Sequence, residues 1–377
     1  MKLQRMNRRA LALGALAVSG ALALTACGSD DTGDKNSSGS SSSGAASAPA
    51  SNIKCDDAKG QLQVAGSSAQ KNAIDAWVKQ YTAACNGVQI NYNANGSGAG
   101  ITNFLQGQTA FAGSDSALKP DEITESKKVC SGGQAIDLPM VGGPIAVGYN
   151  VPGVDTLVLD AKTLSKIFNS EISNWNDKAI AALNPGVKLP DLKIQAFHRS
   201  DESGTTDNFT KYLKAAGDWQ YEPGKSWKAK GGQSAQGSSG LAQQVKQTEG
   251  AISYFELSYV ADGMKAVEIK TAAAEPVAAT TENASKAIGA AKIVGTGDDL
   301  ALQLDYNPST PGAYPISLVT YEIVCDKGNK ADTLPAVKSF LTYIASEDGQ
   351  SILSDAGYAP LAGDIATKVR EAIANLS

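Results

Sequence analysis

Apolar and polar residues alternate around Leu62 and Val64, and again at Val88, Ile90 and Tyr92, the two-residue period of a half-buried strand. Between these runs Ile74, Trp77, Val78 and Tyr81 recur at i, i+3, i+4 and i+7, which is one face of a helix closed by Asn86-Gly87. Ile101, Phe104 and Leu105 predict a second helix. Further along, residues 145–149 and 194–198 predict strands, as do residues 252–255. Leu164, Ile167 and Phe168 predict a helix, residues 207–215 another, and Val337 to Ile344 and Ile365 to Ile373 two more near the end. Strand–helix alternation of this kind predicts an α/β body on a parallel sheet covered on both faces. The Gly- and Pro-rich residues 139–144 read as a crossover between two lobes, and Tyr314-Pro315 as the start of the return. Residues 231–240, rich in Gly, Ser and Gln, read as a surface loop, and no tandem repeat is visible.

The alternation starts late. Lys2, Arg5, Arg8 and Arg9 precede an apolar run over residues 10–24, and no acid occurs in residues 1–26. That is the make-up of an export signal, and the run is too short to span a membrane. It ends in Leu24-Thr25-Ala26-Cys27, the pattern of a bacterial lipobox, so cleavage before Cys27 and lipid on its thiol are expected. A plain secretory signal is the alternative. Residues 27–52 are Ser, Gly, Ala and Asp with little to bury, hence a flexible tether. The remaining chain, out of 377 residues, is long enough for two lobes.

Net charge is −5, and removing the four basic residues of the signal gives −5 − 4 = −9. So acidic a body argues against nucleic acid as a partner. It does not exclude a small anion, because local dipoles and one Arg override a distant field. Four cysteines remain in the body, Cys55, Cys85, Cys130 and Cys325. An even number in an exported chain implies two disulfides with three possible connectivities. Cys55–Cys85 with Cys130–Cys325 is preferred, the first pair tying the start of one strand to the start of the next. No Cys-x-x-Cys pair exists and His198 is the sole histidine, which argues against a metal site.

Candidate chemistry lies in three turns that each end a strand and open a helix. These are Gly66-Ser67-Ser68-Ala69, Gly96-Ser97-Gly98-Ala99-Gly100, and Arg199-Ser200-Asp201-Glu202-Ser203-Gly204-Thr205-Thr206. A helix start leaves backbone N–H groups unpaired and carries partial positive charge. Glycine admits close approach, and Ser or Thr adds a hydroxyl. One such turn is ordinarily a cap. Three in one chain, one with Arg199, point to an anion site. None fits the P-loop or dinucleotide spacing, so ATP and NAD are poor candidates. Asp115, in Gly113-Ser114-Asp115, is either a turn former or an acceptor facing the anion. A carboxylate there is repulsive unless the anion carries a proton to share. It would therefore favour phosphate or arsenate over sulfate. His198 adjoins Arg199 in a strand whose neighbours face opposite sides, and so reads as structural. Asp121/Glu122 and Asp201/Glu202 read as solvated turn or cap charges.

The run Ile172-Ser173-Asn174-Trp175-Asn176-Asp177, then Ala182-Leu183-Asn184-Pro185-Gly186, and then His198 through Asp207-Asn208-Phe209-Thr210 closely resembles the PstS family. These are the phosphate-binding lipoproteins of bacterial phosphate ABC importers, and the likeness looks nearest to actinobacterial members. The turns at Ser67, Ser97 and Asp115 and the run Tyr314-Pro315-Ile316 match as well, over about residues 58–375. The resemblance implies a two-lobed periplasmic-binding-protein type II fold with a phosphate cleft and two crossovers. Lobe I would comprise residues 53–142 plus 311–377, and lobe II residues 143–310. Ser67, Ser68, Ala69 and Ser97 would donate to phosphate, Asp115 would accept its proton, and Arg199 would pair with it. Ser203, Gly204 and Thr205 would close the cage. Many relatives carry Thr where Ser68 stands and Phe where Ala69 stands, so shielding of the cleft is the point of departure.

The expected role is a monomeric, non-catalytic capture protein that is exported and anchored outside the cell membrane through Cys27. It would deliver inorganic phosphate to a permease and its ATPase, with no cofactor. Three other readings stand beside it. One is a phosphate-ester hydrolase with Ser203 or Thr205 as nucleophile, which lacks a base, a metal cluster and a leaving-group acid. Another is a sensor or adhesin that binds phosphate without delivering it. The third is a receptor for another tetrahedral oxyanion.

Overall fold

The computed structural model describes Asn52–Ser377, apart from Asp262, Ala274 and Ala362. The expected export signal, the lipidation at Cys27 and nearly all of the expected tether lie outside the described residues. The anticipated strands form first. Gly60–Gly66 and Val88–Asn93 are the two alternating runs, with Lys71–Ala84 and Ser97–Leu105 as the helices that follow them. The buried face of the first helix is Ala73, Ile74, Trp77 and Tyr81, as its period requires. Phe111–Ser114 adds a third parallel strand beside Gly60–Gly66.

The sheet then changes character. The Gly- and Pro-rich segment expected as a crossover lies within one sixteen-residue strand, Ala135–Asn150. Its first part runs antiparallel to Ser317–Cys325, and its last part, from Ile145, runs antiparallel to Ala251–Glu256. Pro139 and Pro144 are tolerated because the ladder is irregular there, with a bulge opposite Thr320/Tyr321 at Pro139 and the change of partner just after Pro144. Parallel pairing resumes from Ala251–Glu256 to Gln195–Arg199 and on to Gln233–Ala235. The sheet is thus mixed rather than parallel, because the crossover strand and the returning strand both run against their neighbours.

Separate cores pack on the two parts of this sheet. Trp77, Tyr81, Phe111, Phe340 and Leu341 belong to one, and Ile101, Phe104 and Ile323 to a smaller cluster near it. Phe168, Trp175, Phe209, Tyr212 and Phe255 build the core on the other part. The long strand feeds both, with Leu138 and Met140 in the first and Val147 and Tyr149 in the second. Residues 280–303 do not stay with the second core. Ala284, Ile288 and Leu302 join the cluster of Ile101 and Phe104, and Leu300 joins that of Trp77.

The disulfides are Cys55–Cys85 and Cys130–Cys325, the preferred pairing. Among the described residues no helix is long and apolar enough to cross a membrane.

Candidate anion site

The turns meet where the strands end. Gly66 lies at φ +144°, and a Cβ there would sit 2.0 Å from the Gly113 carbonyl oxygen, so only glycine lets the first turn lie against the end of strand Phe111–Ser114. Ser67 spends its N–H on that same Gly113 oxygen at 2.8 Å and is not a free backbone donor, contrary to expectation. Its hydroxyl points inward and donates to Asp115 Oδ1 at 2.6 Å. The helix begins only at Lys71, so Ser67, Ser68 and Ala69 form a turn ahead of it. Three tyrosine hydroxyls hold the carbonyls of that turn. Tyr92 donates to Ser67, Tyr259 to Ser68 and Tyr358 to Ala69, at 2.6, 2.7 and 2.6 Å. The Ala69 N–H closes on Ser67 Oγ at 3.0 Å, so with its oxygens held from behind the turn points chiefly the Ser68 N–H and hydroxyl inward.

Ser97 opens its helix, and its hydroxyl donates to Asp115 Oδ2 at 3.2 Å. It also accepts from the Asp115 N–H at 3.2 Å and the Gly204 N–H at 3.1 Å. Gly204 is the first residue of helix Gly204–Ala216, capped by Ser203, whose hydroxyl accepts from Thr206 N–H. A Cβ on Gly204 would fall 2.5 Å from Asp115 Cβ and 2.8 Å from Ser97 Oγ. Chain segments from the two cores therefore touch at Gly204. The same approach is held by Asn208 donating to the Asp115 carbonyl at 2.7 Å and by Ser116 donating to Asp207 at 2.7 Å.

Asp115 is 4 % exposed, and Thr320 donates to its Oδ1 at 2.7 Å. Burial, and then the negative charge of Glu256, push its carboxyl up to about 6; the hydroxyls of Ser67 and Thr320 and the charge of Arg199 pull the other way. Arg199 is 2 % exposed at the end of strand Gln195–Arg199. Burial opposes its charge, but hydrogen bonds and attraction from Asp201 more than offset that and hold it above its ordinary value. Asp201 was expected to be a solvated turn charge. It folds back instead, accepting from Arg199 Nε at 2.8 Å and from Nη2, so the fork is bidentate. Glu122 caps its own helix as expected, accepting from Lys119 N–H, and also pairs with Lys225 at 3.3 Å. Glu202 is exposed. His198 stacks on Trp227 with ring centroids 5.0 Å apart and bonds the Arg199 carbonyl, a structural place.

Sequence reasoning missed three groups. Within residues 231–240, whose composition predicts a loop, Gly237 opens helix Gly237–Gln247 and makes a fourth helix start. Its Ser238 accepts from Arg199 Nη1 at 3.2 Å and gives its N–H to Ser68 Oγ at 3.0 Å. The signal was present as Gly237-Ser238-Ser239-Gly240 ahead of Leu241 and Val245 at helical spacing. Glu256, at the end of its strand, accepts from Thr205 Oγ1 at 2.6 Å. Thr320 belongs to strand Ser317–Cys325, which the pattern did not predict. The ensemble is a buried nest of hydroxyls and N–H groups around the Arg199 cation and the carboxylates of Asp115 and Glu256.

Comparison with known proteins agrees with that chemistry. Residues 45–348 match the PBP superfamily domain. The chain is 44% identical to the phosphate-binding protein PstS 3 of Mycobacterium tuberculosis, covering 98% of this chain and 99% of that one. It is 43% identical to PstS 2 of the same organism, covering 96% and 97%. Among solved structures it is similar to a putative phosphate ABC transporter substrate-binding protein from Clostridium perfringens with bound phosphate. There the TM-score is 0.60 at 21% identity, covering 80% of this chain and 100% of that one. A periplasmic phosphate-binding protein, PfluDING, gives a TM-score of 0.69 at 22% identity, with 83% and 93% covered. At such identities the structures speak to the two-lobed fold alone.

Proposed function

Because the chain belongs to the PBP superfamily and, within it, to the PstS phosphate-binding proteins, we propose that it captures inorganic phosphate between two lobes and hands it to an ABC permease for import. It acts as a non-catalytic, monomeric receptor, exported and held at the outer face of the membrane by lipid on Cys27. One lobe comprises residues 53–142 with 311–377, the other residues 143–310; within the second span residues 280–303 pack into the first lobe's cores, while Tyr314 and Ile316 pack into the second core.

The observation that carries the reading is an acceptor set among donors. Ser67, Ser68, Ala69 and Ser97 surround the anion from one lobe, and Arg199, Ser203, Gly204 and Thr205 from the other. Asp115 lies at their centre and can accept only from a ligand that brings a proton. Phosphate near neutral pH brings one, and sulfate does not. Arg199 is already answered by Asp201, so helix starts and hydroxyl dipoles carry most of the attraction. The bonds from Gly204 N–H to Ser97 Oγ and from Ser238 N–H to Ser68 Oγ join the lobes in the closed form. Closure follows from the ligand's need for both halves.

Calorimetry on the phosphate-stripped chain tests this. Phosphate is expected to bind and sulfate to give no heat. In Asp115→Asn the discrimination shrinks by roughly ten- to a hundredfold, since an amide N–H can meet a sulfate oxygen where the carboxylate left it unpaired. Sulfate bound as tightly as phosphate by the parent chain would sink the assignment. Incubation with a phosphate ester is expected to release nothing; turnover would instead favour the hydrolase reading.

A further inference from the structure

Glu256 is 2 % exposed, bonds to Thr205 beside the site, and has no role in the phosphate capture proposed for Asp115 and Arg199. Its Oε1 accepts the Thr205 hydroxyl proton at 2.6 Å, and its Oε2 has no hydrogen-bond partner. A threonine hydroxyl has one proton to give. With that proton committed to Glu256, Thr205 Oγ1 can meet a ligand oxygen only by accepting from it. The cage then has two acceptors, Asp115 in one lobe and the Glu256–Thr205 pair in the other.

Formal charge points the same way. Arg199 supplies one positive charge, against three negative ones on Asp201, Asp115 and Glu256. A dianion placed among them would meet a net negative surround, and a monoanion meets less. The other groups that reach Glu256 are Tyr259 and Tyr358, both pushed up by burial and hence neutral. Neither supplies a compensating cation.

We propose that the Glu256–Thr205 pair is a second proton acceptor, so that the site takes phosphate as the doubly protonated monoanion rather than the dianion. This rests on the phosphate reading above and adds which protonation state is selected. Both ligand protons find acceptors, one at Asp115 and one at Thr205 or the open Glu256 oxygen. Sulfate is then refused twice.

The pH dependence follows with a definite sign. Above the second ionisation of phosphate the bound species becomes scarcer, so affinity for total phosphate falls by about tenfold per pH unit. On the acid side Asp115, whose carboxyl titrates at about 6, must stay ionised to accept, so affinity declines there as well.

The test is calorimetric titration of the purified chain with inorganic phosphate from pH 5.5 to 9, in pairs of buffers that differ in ionisation enthalpy. At pH 8 the parent is expected to take up about one proton per phosphate bound, with affinity falling toward pH 9. Glu256→Met removes the acceptor and returns the Thr205 proton to the ligand. The alkaline fall should then flatten and the proton uptake shrink, while binding at pH 6.5 reports that the variant is folded. Affinity flat from pH 7 to 9 with no proton uptake in the parent would overturn the inference and leave the phosphate reading standing. So would a fall of equal slope in Glu256→Met. No phosphate binding at any pH would remove the phosphate reading, and this inference with it.

Discussion

Gly204→Val is expected to weaken phosphate binding by roughly a thousandfold while leaving the melting temperature close to that of the parent. The side chain would have to start 2.5 Å from Asp115 Cβ and 2.8 Å from Ser97 Oγ. Real Cβ atoms do not approach so closely, and both neighbours belong to the turns proposed to face the anion. Neither is the loose end of a long side chain. Relief requires the two halves to stand apart, which breaks the bond from Gly204 N–H to Ser97 Oγ and draws the donors of one half away from those of the other, so that ligand oxygens go unmatched. Overpacking of about 1–3 kcal/mol and a lost contact of similar size together give the expected loss. The clash arises only where the lobes meet, so each core keeps its packing and thermal stability changes little. Calorimetry and a melting curve on the same preparation check both halves. Parent-like affinity would show that the cage closes without the approach of Gly204 to Asp115 and Ser97.

The second large effect concerns stability. Cys130–Cys325 closes a loop of 195 residues and Cys55–Cys85 one of 30. Loop-closure entropy makes the longer link worth more, about 5 kcal/mol against about 4 as upper values. Replacing both Cys130 and Cys325 with Ala is therefore expected to lower unfolding free energy more than replacing Cys55 and Cys85. The placement adds to this. Cys325 ends the returning strand, and Cys130 lies shortly before Ala135, where the crossover strand begins. Urea unfolding of the two double variants under non-reducing conditions decides the order. Equal midpoints, or a larger loss at Cys55–Cys85, would contradict it.

Much of the site was legible because its chemistry is local. A Gly/Ser turn between a strand-like and a helix-like run can be read without tertiary knowledge, and the turns at Ser67, Ser97 and Ser203 were found that way. Three things resisted reading. Ser238 sits in a stretch so rich in Gly, Ser and Gln that composition masked the helix beginning inside it. Strand Ser317–Cys325 is buried on both faces, so it lacks the alternation that betrays a half-exposed strand, and Thr320 and Glu322 break its apolar run. Asp201 looks like a solvated turn residue from its neighbours alone. Only the path of the chain bends it back onto Arg199. The mixed direction of the sheet was hidden for a related reason: strand–helix alternation tells of local succession, and the antiparallel partners are supplied by strands far apart in the chain.

The tyrosines around the first turn bear on how such a receptor can drift over generations. Tyr92, Tyr259 and Tyr358 grip the carbonyls of Ser67, Ser68 and Ala69, which fixes that peptide path from behind without recourse to the side chains it carries. Position 69 is thereby relieved of holding its own backbone in place. A bulky aromatic there can be exchanged for alanine and the donors still aim correctly. The burden of inheritance moves to three rings distant in sequence, where loss of a single oxygen atom, Tyr to Phe, would be felt more than a change of the residue nearest the ligand.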